Sequence, residues 1–132
     1  MITREKLTAR WLLHLACAFS LNASAADLAV RQAPDRLVIT DRAQPVAEFV
    51  FKDERILRPY FANVHAPGGV KVTRNHPPVA GVDATDHDTM HPGIWLAFGD
   101  ISGQDFWRNK GRIEHIRFIE PPKAQRGRLT FA

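Results

Sequence analysis

The chain has 132 residues, 45% hydrophobic and 24% charged, with a formal charge of +4. That length suits one domain and leaves little room for two, and the apolar content excludes wholesale disorder. A single Cys cannot close an intramolecular disulfide, which excludes the disulfide framework of a small secreted scaffold.

The first stretch reads as an address. Arg4, Lys6 and Arg10 form a basic start, Trp11 to Leu21 is a short apolar run broken only by His14 and Ser20, and Ala23-Ser24-Ala25 offers small residues for cleavage. Residues 1–25 are expected to be a secretory signal peptide, with the domain over 26–132 and a periplasmic or secreted destination. The apolar run is too short for a bilayer, which takes about 20 residues, so an uncleaved anchor is the weaker alternative. A lipoprotein reading through Cys17 is weaker still, because His14 stands where an aliphatic residue belongs. Losing Arg4, Lys6, Arg10 and Glu5 reduces the formal charge from +4 to +2. No basic stripe remains, which argues against a nucleic-acid partner, and no further segment has the length to be transmembrane.

Short β-branched and aromatic runs then follow, separated by Pro, Gly and Asp, which favours strands over helices. Arg36 to Thr40 is the first expected strand. Val46 to Lys52 alternates, with Ala47, Phe49 and Phe51 on one face and Glu48 and Lys52 on the other. Asp53-Glu54-Arg55 reads as a turn. Ile56 to His65 is expected to extend again, bent at Pro59, with Tyr60, Ala62 and Val64 opposite Phe61, Asn63 and His65. Pro67-Gly68-Gly69 is a turn and Val70 to Thr73 another strand. Residues 74–93 form a long polar loop, broken by Pro77, Pro78 and Pro92, of a length that is uncommon without a function. Strands resume at Ile94 to Gly99 and Ile113 to Ile119, with a turn at Asp100 to Gly103, and Arg128 to Phe131 begins a last one. The fold class is all-β, an antiparallel β-sandwich or part of one.

The chemistry is expected in the loop. Asp86-His87-Asp88-Thr89-Met90-His91 places two imidazoles and two carboxylates within six residues. Such a set can act as general acid and base with Asp86 orienting a His, hydrogen-bond a polyhydroxylated ligand, or hold a divalent metal. The metal signal is weak, because an H-x3-H pair shares a face only in a helix and Pro92-Gly93 stops one. The plain structural alternative is that Asp86 and Asp88 form Asx turns and the His rings bond backbone groups. Arg58 and Arg74 are candidates for an anionic or hydroxyl-rich ligand, or else surface ion pairs. Trp95 and Trp107 would stack on a sugar ring or fill the core. His65 and His115 join a site only if their strand faces line a cleft.

Taken together, Arg58-Pro59-Tyr60, Pro67-Gly68-Gly69 and Val72-Thr73-Arg74 resemble the PmoA-like family of exported bacterial proteins. The series Asp86-His87, His91, Gly93-Ile94-Trp95, Gly99-Asp100, Gly103, Asp105-Phe106-Trp107, Gly111 and Ile113-Glu114-His115 carries the same resemblance. It spans residues 30–120. The resemblance implies an exported all-β sandwich without a firmly assigned reaction, and by analogy with similar sandwiches a carbohydrate ligand. The family's title, methane oxygenase, comes from an integral membrane copper enzyme, and this chain lacks a spanning segment after the signal peptide. Two departures stand out: Asp88-Thr89-Met90 lies where relatives carry Pro and a shorter gap, and relatives are about twice as long. The chain therefore resembles the N-terminal half of a larger sandwich, truncated at the C-terminus.

The resulting expectation is an exported protein handling a carbohydrate or related polyol. His87, His91 and Asp86 would be catalytic, and Arg58, Arg74, Trp95 and His115 would bind substrate, with no metal assigned and the cofactor unknown. A non-catalytic carbohydrate-binding module and a metal-dependent oxygenase or hydrolase are the alternatives.

Overall fold

The computed structural model describes residues 27–96 and 98–132. The expected signal peptide, residues 1–25, lies outside them. Six strands and no helix are present among the described residues: β1 Leu28–Gln32, β2 Arg36–Asp41, β3 Gln44–Val50, β4 Tyr60–Ala62, β5 Lys123–Gln125 and β6 Arg128–Thr130. β1 to β4 form one antiparallel sheet in chain order, and β5 and β6 form a separate hairpin. The fold is all-β, a four-stranded sheet with a two-stranded second layer, consistent with an incomplete sandwich.

Register explains why this sheet forms. Leu37 pairs with Phe49 and Phe49 with Phe61, so these three residues share a face. Arg36, Val50 and Tyr60 are likewise in register on the opposite face. On the first face Phe49 meets Phe61 at 4.9 Å and Phe131 at 5.1 Å between ring centroids. Phe131 follows β6, so the hairpin layer closes over this face and touches β1. On the second face Val50, Ile56, Tyr60 and Ala62 form the buried cluster, with Trp95 packed against it. Arg36 crosses this face to pair with both Asp35 and Glu48, at 2.6 Å each. The β2–β3 turn places both Arg42 and Ala43 at positive φ, the backbone twist a two-residue hairpin requires.

The expected strands over 36–40, 46–52 and 128–131 are present, with shifted ends, while β1 and β5 lie where no strand is expected from the sequence. Four other expectations fail or shrink. Ile56 to His65 is extended only over β4. Val70 to Thr73 contributes one bridge, Lys71 to His65, and Ile94 to Gly99 one bridge, Ile94 to Phe61. Ile113 to Ile119 forms no strand: Ile113 N–H bonds the Leu57 carbonyl at 2.7 Å, but no ladder continues from it. The β-branched pattern is real in each case; what is missing is a continuous partner backbone, and a ladder needs one. Ile116, within the 113–119 segment, is 83% exposed.

Candidate functional site

The loop 74–93 lies over the second face of the sheet and is held from below by Arg74. Its Nε donates to the His91 carbonyl at 2.9 Å, Nη1 to those of Ala84 at 2.6 Å and Asp86 at 2.9 Å, and Nη2 to that of His87 at 2.9 Å. Four of the five guanidinium N–H donors are thus engaged by loop carbonyls. Arg74 shapes the loop that carries the histidines and has at most one donor left for a ligand. Asp83 organises the other end, accepting from Asn75 N–H and Nδ2 and from Val79 N–H. These donors hold its carboxyl below the usual range, the Val79 N–H foremost.

His87 and His91 are linked by one helical turn, His91 N–H to the His87 carbonyl at 2.9 Å, which goes no further before Pro92. The imidazoles lie 6.0 Å apart and nearly perpendicular. His91 meets Trp95 edge-on at 5.1 Å and Trp107 at 6.2 Å, and the two indoles are 6.4 Å apart. Trp95 leans on the core cluster while Trp107 is 44% exposed, so the core and ligand readings divide between them. Asp86 Oδ2 lies 3.1 Å from His87 Nδ1, and both side chains are exposed. An ionised carboxylate only accepts, so Nδ1 carries the proton and Nε2 of the neutral ring keeps its lone pair toward solvent chemistry. Asp88 is bonded instead to Arg55 at 2.8 Å, which ties the loop to the turn after β3.

Arg58 is 3% exposed. It donates through Nη1 to Asn109 Oδ1 at 3.1 Å and through Nη2 to the Met90 carbonyl at 2.9 Å, and lies 5.6 Å from the centre of the Trp95 ring. Burial lowers its pKa from the ordinary guanidinium value. Asn109 also accepts from Leu57 N–H and donates to the Arg55 carbonyl, so it fixes the 55–58 segment against the turn carrying Trp107. That turn is closed by Asp105, whose carboxylate accepts from Arg108 N–H and Nη1. A Cβ on Gly111 would press on the Phe106 ring at 2.8 Å, so a side chain there would force that ring to move.

The structure therefore brings Arg58, Asp86, His87, His91 and Trp95 into one neighbourhood with Trp107. His115 lies elsewhere, stacked on Phe51 at 4.6 Å and Phe118 at 4.5 Å, and shares with Arg58 the wall of a different cavity. His65 faces a shallow surface hollow beside the β2–β3 turn. Among the described residues no three His, Cys, Asp or Glu side chains converge as a metal would need.

Sequence reading missed one buried network. Tyr60 Oη lies 2.6 Å from Asp53 Oδ2 and 2.7 Å from His76 Nε2. Asp53 Oδ1 takes the N–H groups of Arg55 and Ile56. Burial opposes the charge on Asp53, but the Tyr60 hydroxyl and those two amides outweigh it and hold the carboxyl below its usual range. Tyr60 thus donates to Asp53, and His76 must donate Nε2–H to Tyr60, leaving Nδ1 as the unprotonated nitrogen. Burial pushes the His76 pKa down despite the nearby Asp53, and pushes that of the Tyr60 hydroxyl up. The only sequence signal was composition: a Tyr at an inward strand position needs a polar partner for its hydroxyl.

No curated protein and no solved structure matches the chain. A family model described as "Family of unknown function (DUF6807)" matches residues 36–131, from β2 through the residue after β6. The match takes in the sheet, the histidine loop and the second layer together, and the chain belongs to the DUF6807 family.

Proposed function

We propose that this protein is exported and handles a carbohydrate or related polyol on the surface formed by Asp86, His87, His91, Trp95 and Trp107. The observation that carries the reading is the half-exposed Trp107 ring beside the His91 imidazole, which lies 6.0 Å from the exposed His87 ring held by Asp86. An indole face suits the apolar side of a sugar ring, and the His87 and His91 rings with the Asp86 carboxylate suit its hydroxyls. In the catalytic form of the reading, His87 Nε2 accepts or returns a proton while Asp86 fixes the tautomer. Arg58 supports Trp95 from below, and Arg74 holds the loop in place.

The test is titration with neutral oligosaccharides derived from glucan, mannan and chitin, followed by calorimetry and product analysis. Saturable binding that falls about tenfold in Trp107→Ala, the loss of one aromatic contact, supports the reading. Binding to none of the three sets, or binding indifferent to Trp107→Ala and His91→Ala, overturns it. A second reading, a non-catalytic binding module, is favoured by the exposed indole alone: it predicts binding without product, whereas the enzyme forms product that disappears in His87→Ala.

A further inference from the structure

Among the described residues the charge on Arg58 has no bonded counter-ion. Its two hydrogen-bond acceptors, Asn109 Oδ1 and the Met90 carbonyl, are neutral, and Nε is buried with no partner. Among the described residues no carboxylate bonds to it, and the Trp95 face offers only the attraction of a ring quadrupole. Arg36 shows how this chain treats a guanidinium when an anion is at hand, taking Asp35 and Glu48 together. Buried charges are ordinarily paired, because a charged group loses more than a neutral one on leaving water.

Arg58 borders a cavity of about 240 Å³ between the turn after β3 and the 112–115 segment. The titratable groups around it are Lys52, Arg58, Arg112 and His115, with Asp53 and Glu114. Asp53 already accepts three hydrogen bonds, from Arg55, Ile56 and Tyr60, and so has little left to offer Arg58. Glu114 is exposed and lies 4.0 Å from Arg112 Nε, a loose contact that water screens. Three fixed cations and an imidazole therefore face one engaged and one exposed carboxylate.

We infer that this cavity binds a small oxyanion, the carboxylate or phosphate group of a ligand, which supplies the missing partner of Arg58. The oxyanion sits beside the Arg58 charge, with Arg112 and Lys52 at the mouth and His115 on the wall. Charge-assisted bonds to a guanidinium are the strong members of their class, which suits a site with few donors. The inference rests on the charge balance around Arg58 and not on the sugar-binding surface, since Trp107 takes no part in it.

The probes are glucuronate and inorganic phosphate, with glucose as the neutral control, in low-salt buffer. Amide chemical shifts and Tm are followed. Saturable shifts at residues 52–58 and 112–115 with either anion, a raised Tm, and no response to glucose are expected; the anion that acts identifies a carboxylate or a phosphate ligand. Arg112→Gln, on the exposed rim, should weaken binding about tenfold, as should Lys52→Gln to a lesser degree. Arg58→Met should abolish it; if that variant does not fold, the two rim variants decide. No response to either anion at tens of millimolar, an equal response to glucose, or affinity unchanged in Arg112→Gln and Lys52→Gln overturns the inference. Trp107→Ala should leave anion affinity unchanged, which separates a failure here from a failure of the sugar-binding reading.

Discussion

The segment from β1 to β4 and the segment from Val64 to Pro122 are built by different means. Among the described residues the core from Leu37 to Ala62 belongs to the first, the large exposed apolar residues from Val70 to Ile119 belong to the second, and Pro92 is a fully buried apolar side chain of the second. The first is a ladder with two covered faces. The second has single bridges and is held by side chains that grip backbone: Arg74 on four carbonyls, Asn109 on the 55–58 segment, Asp83 and Asp105 on their own turns. Hydrophobic burial gives a rigid frame, and the polar clamps give a loop shape that the frame does not dictate. Functional groups sit on the second because loops can present imidazoles and indoles to solvent while a core cannot.

The largest effect that would sharpen this contrast is in the frame. Leu37→Ala, at a fully buried position, should cost about 2–5 kcal/mol in urea unfolding, whereas Ile116→Ala, at an 83% exposed one, should change little. Comparable losses at both would mean that the second segment shares the core after all. Next comes the clamp. Arg74→Met should cost about 1–3 kcal/mol, since charged hydrogen bonds at a partly exposed site are each worth a fraction of their buried value. Its signature is faster amide exchange over residues 84–91 with the β2 and β3 amides still protected. Uniform deprotection would show that frame and loop unfold together.

The smallest effect lies where the two segments meet, at Asp53, Tyr60 and His76. His76 is held neutral by burial, with its folded pKa below the ordinary 6.5. The unfolded chain therefore binds the proton first, and stability falls as pH drops below 6.5 toward the folded value. The Asp53 contribution acts lower, being present above the ordinary 3.8 and lost as pH falls through its depressed folded value. His76→Gln should flatten the upper limb of a plot of urea midpoint against pH while leaving the lower one. An unchanged upper limb would place the titration on another group.

Much of the frame was legible because burial imposes a short-range pattern. The alternation through Phe49 and the inward Tyr60 and Ala62 can be read from neighbours in sequence. The strand expected at Ile113 to Ile119 has the same pattern and does not form, because a ladder needs a second backbone that the pattern cannot see. The candidate site divides in the same way. The cluster from Asp86 to His91 is local, so its density in titratable groups is visible in the chain. Its partners are not: Trp107 reaches His91 through the Asp105 turn, Arg74 proves to be the clamp beneath the loop, and His115 stacks away on Phe51.

The amino-acid sequence by itself determined the all-β class and the placing of the histidines in a polar, Pro-broken loop, since each follows from residue spacing and local turn chemistry. Tertiary structure alone decided which arginine is clamped and which is buried with no carboxylate bonded to it among the described residues. It also decided that Asp53, Tyr60 and His76 form one hydrogen-bonded chain. Those outcomes depend on distances between residues far apart in the chain, and desolvation and charge pairing act through distance in space.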